Sequence, residues 1–340
     1  FRLGKERFEQ KLRLEEGLSM PVDRLLAIAT RELKATQEAF KALAGRMNGG
    51  DPLDTWARTK AEHPAPGELV AKGREQLDEL ATFLERQSIV TLPPGENITV
   101  APTPDFYRWS FASMWTPGPF ETKPTRAYYY LTDVDRSWPP EKQDEHLRDY
   151  NYPTLFSIHE VYPGHFLHYQ HLRRVESKTR KSIMFAPASF VEGWAHYCEQ
   201  MMIEAGFGRQ EQGIKLGQLA ESLIRLARFV VCIKLHAEDM SVEQGVRFFR
   251  DEAFMEEASA RREAERGTFD PTYLVYSVGK QMLLKLRQDC KQQQGKSFSL
   301  RSFHDTLLAQ GTAPFWLHRQ LMLGDEGDLS GRVEPGTVTN

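Results

Sequence analysis

Apolar side chains that recur every three or four residues restrict the fold of this chain more than any other feature. One stripe contains Leu26, Ala29, Leu33, Thr36, Phe40 and Leu43, a shorter one Leu77, Leu80 and Leu84, and the longest Leu216, Leu219, Leu223, Leu226, Val230 and Ile233. This spacing places the apolar side chains on one face of an α-helix. It predicts a mainly α-helical protein in which these stripes form the core.

One region departs from the helical pattern. Residues 98–132 contain an alternating segment at 98–100, then several prolines and aromatic residues, and finally a strand-like segment at 126–132. Aromatic and β-branched residues favour strands, so we predict a small β-sheet near residues 98–132. If the strand at 126–132 lies at an edge, it could pair with an extended peptide; a packing role is the alternative.

Composition excludes several classes of protein. The chain has 340 residues, of which 40% are hydrophobic and 27% charged, and no Ser/Gly linker divides it, as is usual for a globular domain. A net charge of −3 provides no basic stripe, so nucleic acid is not an expected partner. No apolar run reaches the roughly 20 residues that span a bilayer. The three cysteines, Cys198, Cys232 and Cys290, are far apart and indicate neither disulfides nor a thiolate metal site.

The ends of the chain suggest part of a longer protein. It begins at Phe1 within a charged, helix-like pattern, so we interpret residues 1–340 as a single domain from the C-terminal portion of a longer protein. Residues 324–340 are expected to form a polar tail. The sequence leaves the compartment open, since secreted, periplasmic and cytoplasmic locations all fit, and it does not fix the oligomeric state.

Residues 159–165, His-Glu-Val-Tyr-Pro-Gly-His, resemble the zinc-peptidase motif H-E-x-x-H with its second histidine two positions late. Six residues of a regular helix correspond to about 240°, which would direct His165 away from His159. Pro163 lacks the N–H that would bond to the carbonyl of His159, and Gly164 can adopt backbone angles closed to other residues. We therefore predict a bulge at these two residues that turns His165 back towards His159.

A peptidase zinc site needs three protein ligands, an open position for water, and a carboxylate that takes the proton of that water. His159 and His165 offer two ligands, and Glu160 is the candidate base. Glu192 is the best candidate for the third ligand, because it follows a helix-starting sequence at residues 186–189. A helix packed across the first one would bring its carboxylate to the two histidines.

The pattern H-E-x-x-P-G-H at 159–165, followed by E-G-W-A at 192–195, resembles the DUF885 family of bacterial proteins. Similar residues extend over essentially the whole chain: residues 1–8, Leu235-His236, Tyr276 with Gly279, and residues 303–305. The family is regarded as zincin-like, which implies a zincin-like metallopeptidase fold with zinc as cofactor. Its E-G-W-A also resembles the N-E-G-F-A motif of zinc aminopeptidases, whose Glu is the third zinc ligand, and this favours Glu192. Family members are longer at the N-terminus.

The sequence departs from the family pattern in its last third. An acidic residue is usual at the position of Cys232 and a small one at that of Lys234, and residues 270–273 replace a P-G-Q pattern. These differences concern the late helices more than the metal site.

Peptide hydrolysis builds negative charge on the attacked carbonyl, so a hydrogen-bond donor opposite the metal is expected. Tyr276 and His236 are the candidates for this catalytic role, and for each the alternative is a buried core residue whose polar tip is satisfied.

Four further residues have roles that the sequence leaves open. Glu199, two helical turns after Glu192, either supports the site by bonding to a ligating histidine or replacing Glu192, or is a solvated surface residue. His196 has a spacing from Glu192 that can share a metal, although the family does not generally hold a histidine there. Arg225 and Arg228 could bind a substrate carboxylate or form helical salt bridges.

The sequence thus predicts a zinc-dependent hydrolase of peptide bonds, with a His/His/Glu-bound zinc, Glu160 as base and Tyr276 or His236 as oxyanion donor. One alternative is a zinc hydrolase of a non-peptide amide or small molecule, and another is a non-catalytic helical binding or scaffold protein with a vestigial site. Exo- or endopeptidase action and side-chain preference stay open.

Overall fold

The computed structural model describes residues 1–48, 50–94, 97–108, 110–122, 126–150 and 153–324. The tail predicted from residue 324 onward therefore lies, after Gly324, outside the described residues. The α-helices are α1 (Lys5–Glu16), α2 (Val22–Asn48), α3 (Pro52–Ala61), α4 (Leu69–Gln87), α5 (Pro140–Arg148), α6 (Pro153–Glu160), α7 (His165–Leu172), α8 (Lys178–Lys181), α9 (Ala188–Glu204), α10 (Gln212–Ala237), α11 (Val242–Ala253), α12 (Glu257–Phe269), α13 (Val275–Gln294), α14 (Leu300–Ala309) and α15 (Phe315–Leu323). Short 3₁₀ turns lie at Asp105–Tyr107, Ile183–Phe185 and Gly295–Ser297.

The prediction of a mainly helical protein is confirmed. The first stripe lies on α2 and the longest on α10, and the two helices pack against each other over much of their length. Leu33 and Phe40 from α2 and Leu223 and Val230 from α10 are buried in one core. Burying these apolar faces together is the main contribution to the stability of such a pair of helices.

A three-stranded sheet is formed by β1 (Asn97–Pro102), β2 (Ala112–Trp115) and β3 (Arg126–Leu131), in the order β1-β3-β2. Strand β3 is parallel to β1, with Tyr129 opposite Val100, and antiparallel to β2, with Tyr129 opposite Met114. The predicted small sheet is confirmed. The strand at 126–132 is not an edge, because β3 has a partner on each side, so the condition for adding a peptide to it is not met. Within the described residues the edges are β1 and β2.

The helices that carry the two sequence motifs pack together. Helix α9 packs against both α6 and α13, and β2 packs against α6. Helix α9 can approach α13 closely because Gly193 and Gly279 face each other: a Cβ on Gly193 would lie 2.5 Å from the carbonyl carbon of Gly279. The two glycines thus place residues of α9 and α13 on either side of one site. Among the described residues, no helix is long and apolar enough to cross a membrane.

Candidate metal centre

The motif at 159–165 contains a break between two helices. Helix α6 ends at Glu160 and α7 begins at His165, and the peptide bond between Tyr162 and Pro163 is cis. The N–H of Gly164 donates to the carbonyl of Ile158, six residues back, at 3.0 Å. The sequence predicts a bulge inside one helix, whereas the structure has two helices joined by a turn. Both arrangements have the same consequence, which is that His165 turns back towards His159.

Trp194 of the second motif holds this turn in place. Its indole N–H donates to the carbonyl oxygens of Pro163 at 2.9 Å and Gly164 at 3.3 Å, and its side chain is completely buried. Buried carbonyl groups need a donor, and the indole N–H supplies it. Each residue of the E-G-W segment therefore has its own role. Glu192 belongs to the site, Gly193 allows the close approach of two helices, and Trp194 anchors the turn. The role of Trp194 was not predicted from the sequence, although the presence of both motifs in one chain could have indicated it.

Three side chains from three helices converge as predicted. Oε2 of Glu192 on α9 lies 3.5 Å from Nε2 of His159 on α6 and 3.4 Å from Nε2 of His165 on α7. One ligand atom from each residue lies within 4.8 Å of the other two, and no other such group of three occurs within the described ranges. The imidazole rings of the two histidines are nearly perpendicular, with centroids 4.9 Å apart.

This geometry fits a metal ion. Two ligands bound at 2.0–2.1 Å to one tetrahedral zinc are about 3.3 Å apart, which is close to the separations observed here. Oε2 of Glu192 is also buried and forms no well-directed hydrogen bond with the described residues. A buried carboxylate oxygen without such a bond is costly, and a cation between it and the two histidines would satisfy it. Two imidazoles and one carboxylate are a donor set found in catalytic zinc sites.

The electrostatics of the cluster follow from the same contacts. Burial lowers the pKa of His159, but the nearby carboxylates of Glu192 and Glu199 outweigh it and raise this pKa to about 9. Burial raises the pKa of Glu192, while the nearby imidazoles of His165 and His159 bring it well below its usual range. A cation bound between these three residues would compete with the proton on His159.

Glu199 supports the site from behind His159. Its Oε1 accepts a hydrogen bond from Nδ1 of His159 at 2.7 Å, and its side chain is only 1% exposed. Nη2 of Arg225 lies 3.1 Å from the same oxygen, and Nδ1 of His196 lies 3.2 Å from Oε2. The carboxylate therefore fixes the ring of His159 with Nε2 directed at the cluster, a common support for metal-binding histidines. Of the open alternatives, Glu199 has the supporting position, and His196 contacts Glu199 and is not among the three converging residues.

Glu160 and Tyr276 border a cleft beside the cluster. The cleft has a volume of about 240 Å³ and is lined by both residues, by His159, and by Ser110 to Ala112 at the start of β2. The ring of Tyr276 lies alongside that of His159, with centroids 6.3 Å apart. Burial and the charge of Glu192 raise the pKa of Tyr276, so its phenol keeps its proton and can donate a hydrogen bond at neutral pH.

His236 does not reach this site. Its Nε2 bonds to the carbonyl of Gly267 at 2.7 Å, and its ring stacks on Phe8 with centroids 5.8 Å apart. His236 lies eleven residues after Arg225 on α10, which corresponds to about 16 Å along the helix axis. The structure therefore corrects the suggestion of His236 as oxyanion donor: it is a core residue, and Tyr276 is the candidate that lies beside the cluster.

Comparisons with protein families and with solved structures agree with the mainly helical architecture. The family described as bacterial protein of unknown function (DUF885) matches residues 1–322. The chain belongs to this family. No curated protein matches the chain. A candidate lipoprotein of unknown function from Shewanella oneidensis has 28% identity and a TM-score of 0.86 over 95% of this DUF885 chain and 60% of its own.

A candidate lipoprotein from Colwellia psychrerythraea has 19% identity and a TM-score of 0.75, over 92% of this chain and 54% of its own, and shares the fold. The DUF885 chain thus spans 60% and 54% of the lengths of these two proteins.

Proposed function

We propose that this DUF885 protein is a zinc-dependent peptidase. The observation that carries the proposal is the convergence of His159, His165 and Glu192 immediately beside Glu160. A hydrolase of this type requires three ligands, an open coordination position and a base next to it. The cleft that reaches His159 and Glu160 supports an open position on one side of the cluster.

The role of each residue follows from its position. When bound, the zinc would polarise a water molecule and the attacked carbonyl. Glu160, the residue after a ligand, would accept the proton of that water and later donate it to the leaving amine. Tyr276, as a neutral phenol, would donate to the oxyanion. Glu199 would keep the ring of His159 in its ligating orientation.

An edge strand at the cleft supports a peptide as substrate. Strand β2 has β3 on one side, and the start of β2 lines the cleft that contains Glu160. An exposed edge can bind an extended peptide through main-chain hydrogen bonds, which position a peptide carbonyl without reading its side chain. This feature favours a peptide over a small non-peptide amide.

Zinc binding and peptide cleavage are tested separately. We expect purified protein to bind one zinc per chain, and His165→Ala to lose it, in a titration against a chelating dye. Digestion of a peptide library by the zinc-loaded protein is expected to yield products that disappear in Glu160→Gln. If zinc binds but no peptide is cleaved, the remaining hypothesis is a non-peptide hydrolase. If no stoichiometric zinc binds, the remaining hypothesis is a binding or scaffold protein. Cleavage that survives Glu160→Gln would remove this residue as base.

A further inference from the structure

One face of α12 lines the cleft with polar side chains. Ser259, Arg262, Glu263 and Arg266 follow the spacing of a single helix face, and all four border the cleft that contains Glu160. Polar faces of helices usually point to bulk water. The polar face of α12 points towards the candidate site instead, so its charged side chains are placed where a substrate could bind.

Two other arginines of the cleft, both on α10, form ion pairs within the protein. Arg228 forms two hydrogen bonds with Glu263, from Nε at 2.6 Å and from Nη2 at 2.8 Å. Arg225 pairs with Glu199 and with Glu221. Arg228 is held by one carboxylate through two nitrogens and Arg225 by two carboxylates, so both are poorer candidates for binding a substrate.

The two arginines of α12 that line the cleft, Arg262 and Arg266, each pair with at most one carboxylate among the described residues. Arg262 donates to Oγ of Ser259 at 3.0 Å, and it forms no ion pair within the described part of the chain. Its guanidinium carbon lies 5.8 Å from the ring centre of Phe111, next to edge strand β2. Arg266 directs Nε and Nη2 to a single oxygen of Asp270, at 3.0 and 2.9 Å, and it also hydrogen-bonds to the phenol of Tyr276. Asp270 is not among the residues that line the cleft.

These two groups lie close to the candidate catalytic residues. The guanidinium carbon of Arg266 is 6.0 Å from the ring centre of Tyr276, which is itself 6.3 Å from the ring centre of His159. Arg266 is therefore within about 12 Å of a zinc-binding ring, and an extended peptide advances 3.3–3.6 Å per residue. A carboxylate at Arg266 would thus lie about three to four extended residues from a carbonyl at the metal.

We propose that Arg262 and Arg266 bind the C-terminal carboxylate of a peptide substrate, so that the enzyme removes short segments from carboxyl ends. This inference rests on the peptidase function proposed above. A guanidinium binds a carboxylate through directed, charge-assisted hydrogen bonds. The cleft volume of about 240 Å³ is below the 300–1,000 Å³ of most ligand pockets, which suits a chain end better than a long continuous peptide.

Binding of three peptides tests the proposal. The zinc-loaded Glu160→Gln protein, which is expected not to cleave, is titrated calorimetrically with an alanine-rich peptide as free acid, as C-terminal amide, and as an amide with a Glu side chain near its end. We expect the free acid to bind about 10- to 100-fold more tightly than either amide, the effect of one hydrogen-bonded charge. Equal affinities, or no binding, would overturn the proposal. Tight binding of the Glu-containing amide would assign the arginines to an acidic side chain instead.

Arg261 supplies a matched control. It lies on the same helix, but it pairs with Glu243 and Glu257 on the outer surface. In the Glu160→Gln background, Arg262→Gln is expected to reduce the preference for the free acid by about tenfold, and Arg261→Gln to leave it unchanged. Any attraction of the free acid to the zinc or to Arg266 is the same in both variants. A preference that is undiminished in Arg262→Gln would contradict the proposal. If the protein prefers the free acid but the wild type cleaves no peptide, the peptidase function is refuted and the carboxylate site is not.

Discussion

At the residue scale, Gly164 occupies a position where a side chain has no space. A Cβ there would lie 1.7 Å from the carbonyl oxygen of His159, far inside van der Waals contact. We expect Gly164→Ala to displace the turn between α6 and α7 and to separate His165 from His159. Zinc affinity should fall by at least about tenfold, as it does when the support of a metal ligand is disturbed. A competition titration with a chelating dye measures this loss.

Gly45 provides the control for this substitution. It lies inside α2, and a Cβ there would meet nothing within 4 Å. Gly45→Ala should leave the zinc affinity unchanged and should slightly stabilise the helix. If Gly164→Ala binds zinc as tightly as the wild type, the tight turn is not what positions His165.

The change of chain direction between the two candidate histidine ligands could be predicted from the sequence because its cause is local. Pro163 and Gly164 are incompatible with a continuous helix, so a change of direction between the two histidines followed from their backbone properties. The position of His236 did not follow, because its distance from the site depends on where along α10 the helices cross. Periodicity gives the face of a helix on which a residue lies, and it gives no position for the crossing point.

At the element scale, a buried ion pair joins α10 to α12 across the cleft. Glu263 bonds to Arg228 through both carboxylate oxygens, and both side chains are less than 20% exposed. We expect Glu263→Gln to lower the free energy of unfolding at pH 7 by roughly 3 kcal/mol, because it leaves a buried guanidinium without its counter-charge. Urea unfolding measures the difference. Glu243→Gln, which removes the exposed partner of Arg261, should have a much smaller effect.

The same pair predicts a pH dependence. Burial raises the pKa of Glu263, but the charge and hydrogen bonds of Arg228 outweigh it and hold this pKa below its ordinary value of 4.5. A carboxylate with a lowered pKa contributes stability that is present above its unfolded pKa and is lost as the pH falls through the folded pKa. The difference between the wild type and Glu263→Gln should therefore be constant from pH 7 to about 5 and shrink in more acidic solution. A difference that grows with acid would contradict this.

Element positions were predicted unevenly. The stripes of α2 and α10 were clear in the sequence because each helix buries one continuous apolar face. The central position of β3 in the sheet was not clear in the sequence, because a strand that is buried on one face has the same pattern whether it has one neighbouring strand or two. Gly193 and Gly279 appeared in the sequence only as parts of patterns, and their role is a contact between two helices about 85 residues apart.

At the scale of the whole molecule, the three candidate ligands connect α6, α7 and α9, which belong to the packed centre of the protein. A metal that binds only the folded state stabilises it by about 2.7 kcal/mol when its free concentration is 100 times its Kd. We expect the free energy of unfolding of the wild type to rise by about this amount at such a zinc concentration, as measured by urea unfolding with and without zinc.

Two variants of the same helix determine whether this stabilisation comes from the proposed site. His165→Ala removes a candidate ligand and should abolish the zinc-dependent increase. His171, also on α7, bonds to the carbonyl of Thr91 at 2.9 Å and does not belong to the cluster, so His171→Ala should lower the stability equally with and without zinc and retain the full increase. Equal increases in both variants would mean that zinc binds elsewhere, since removing one of three ligands leaves too few to hold a zinc ion tightly.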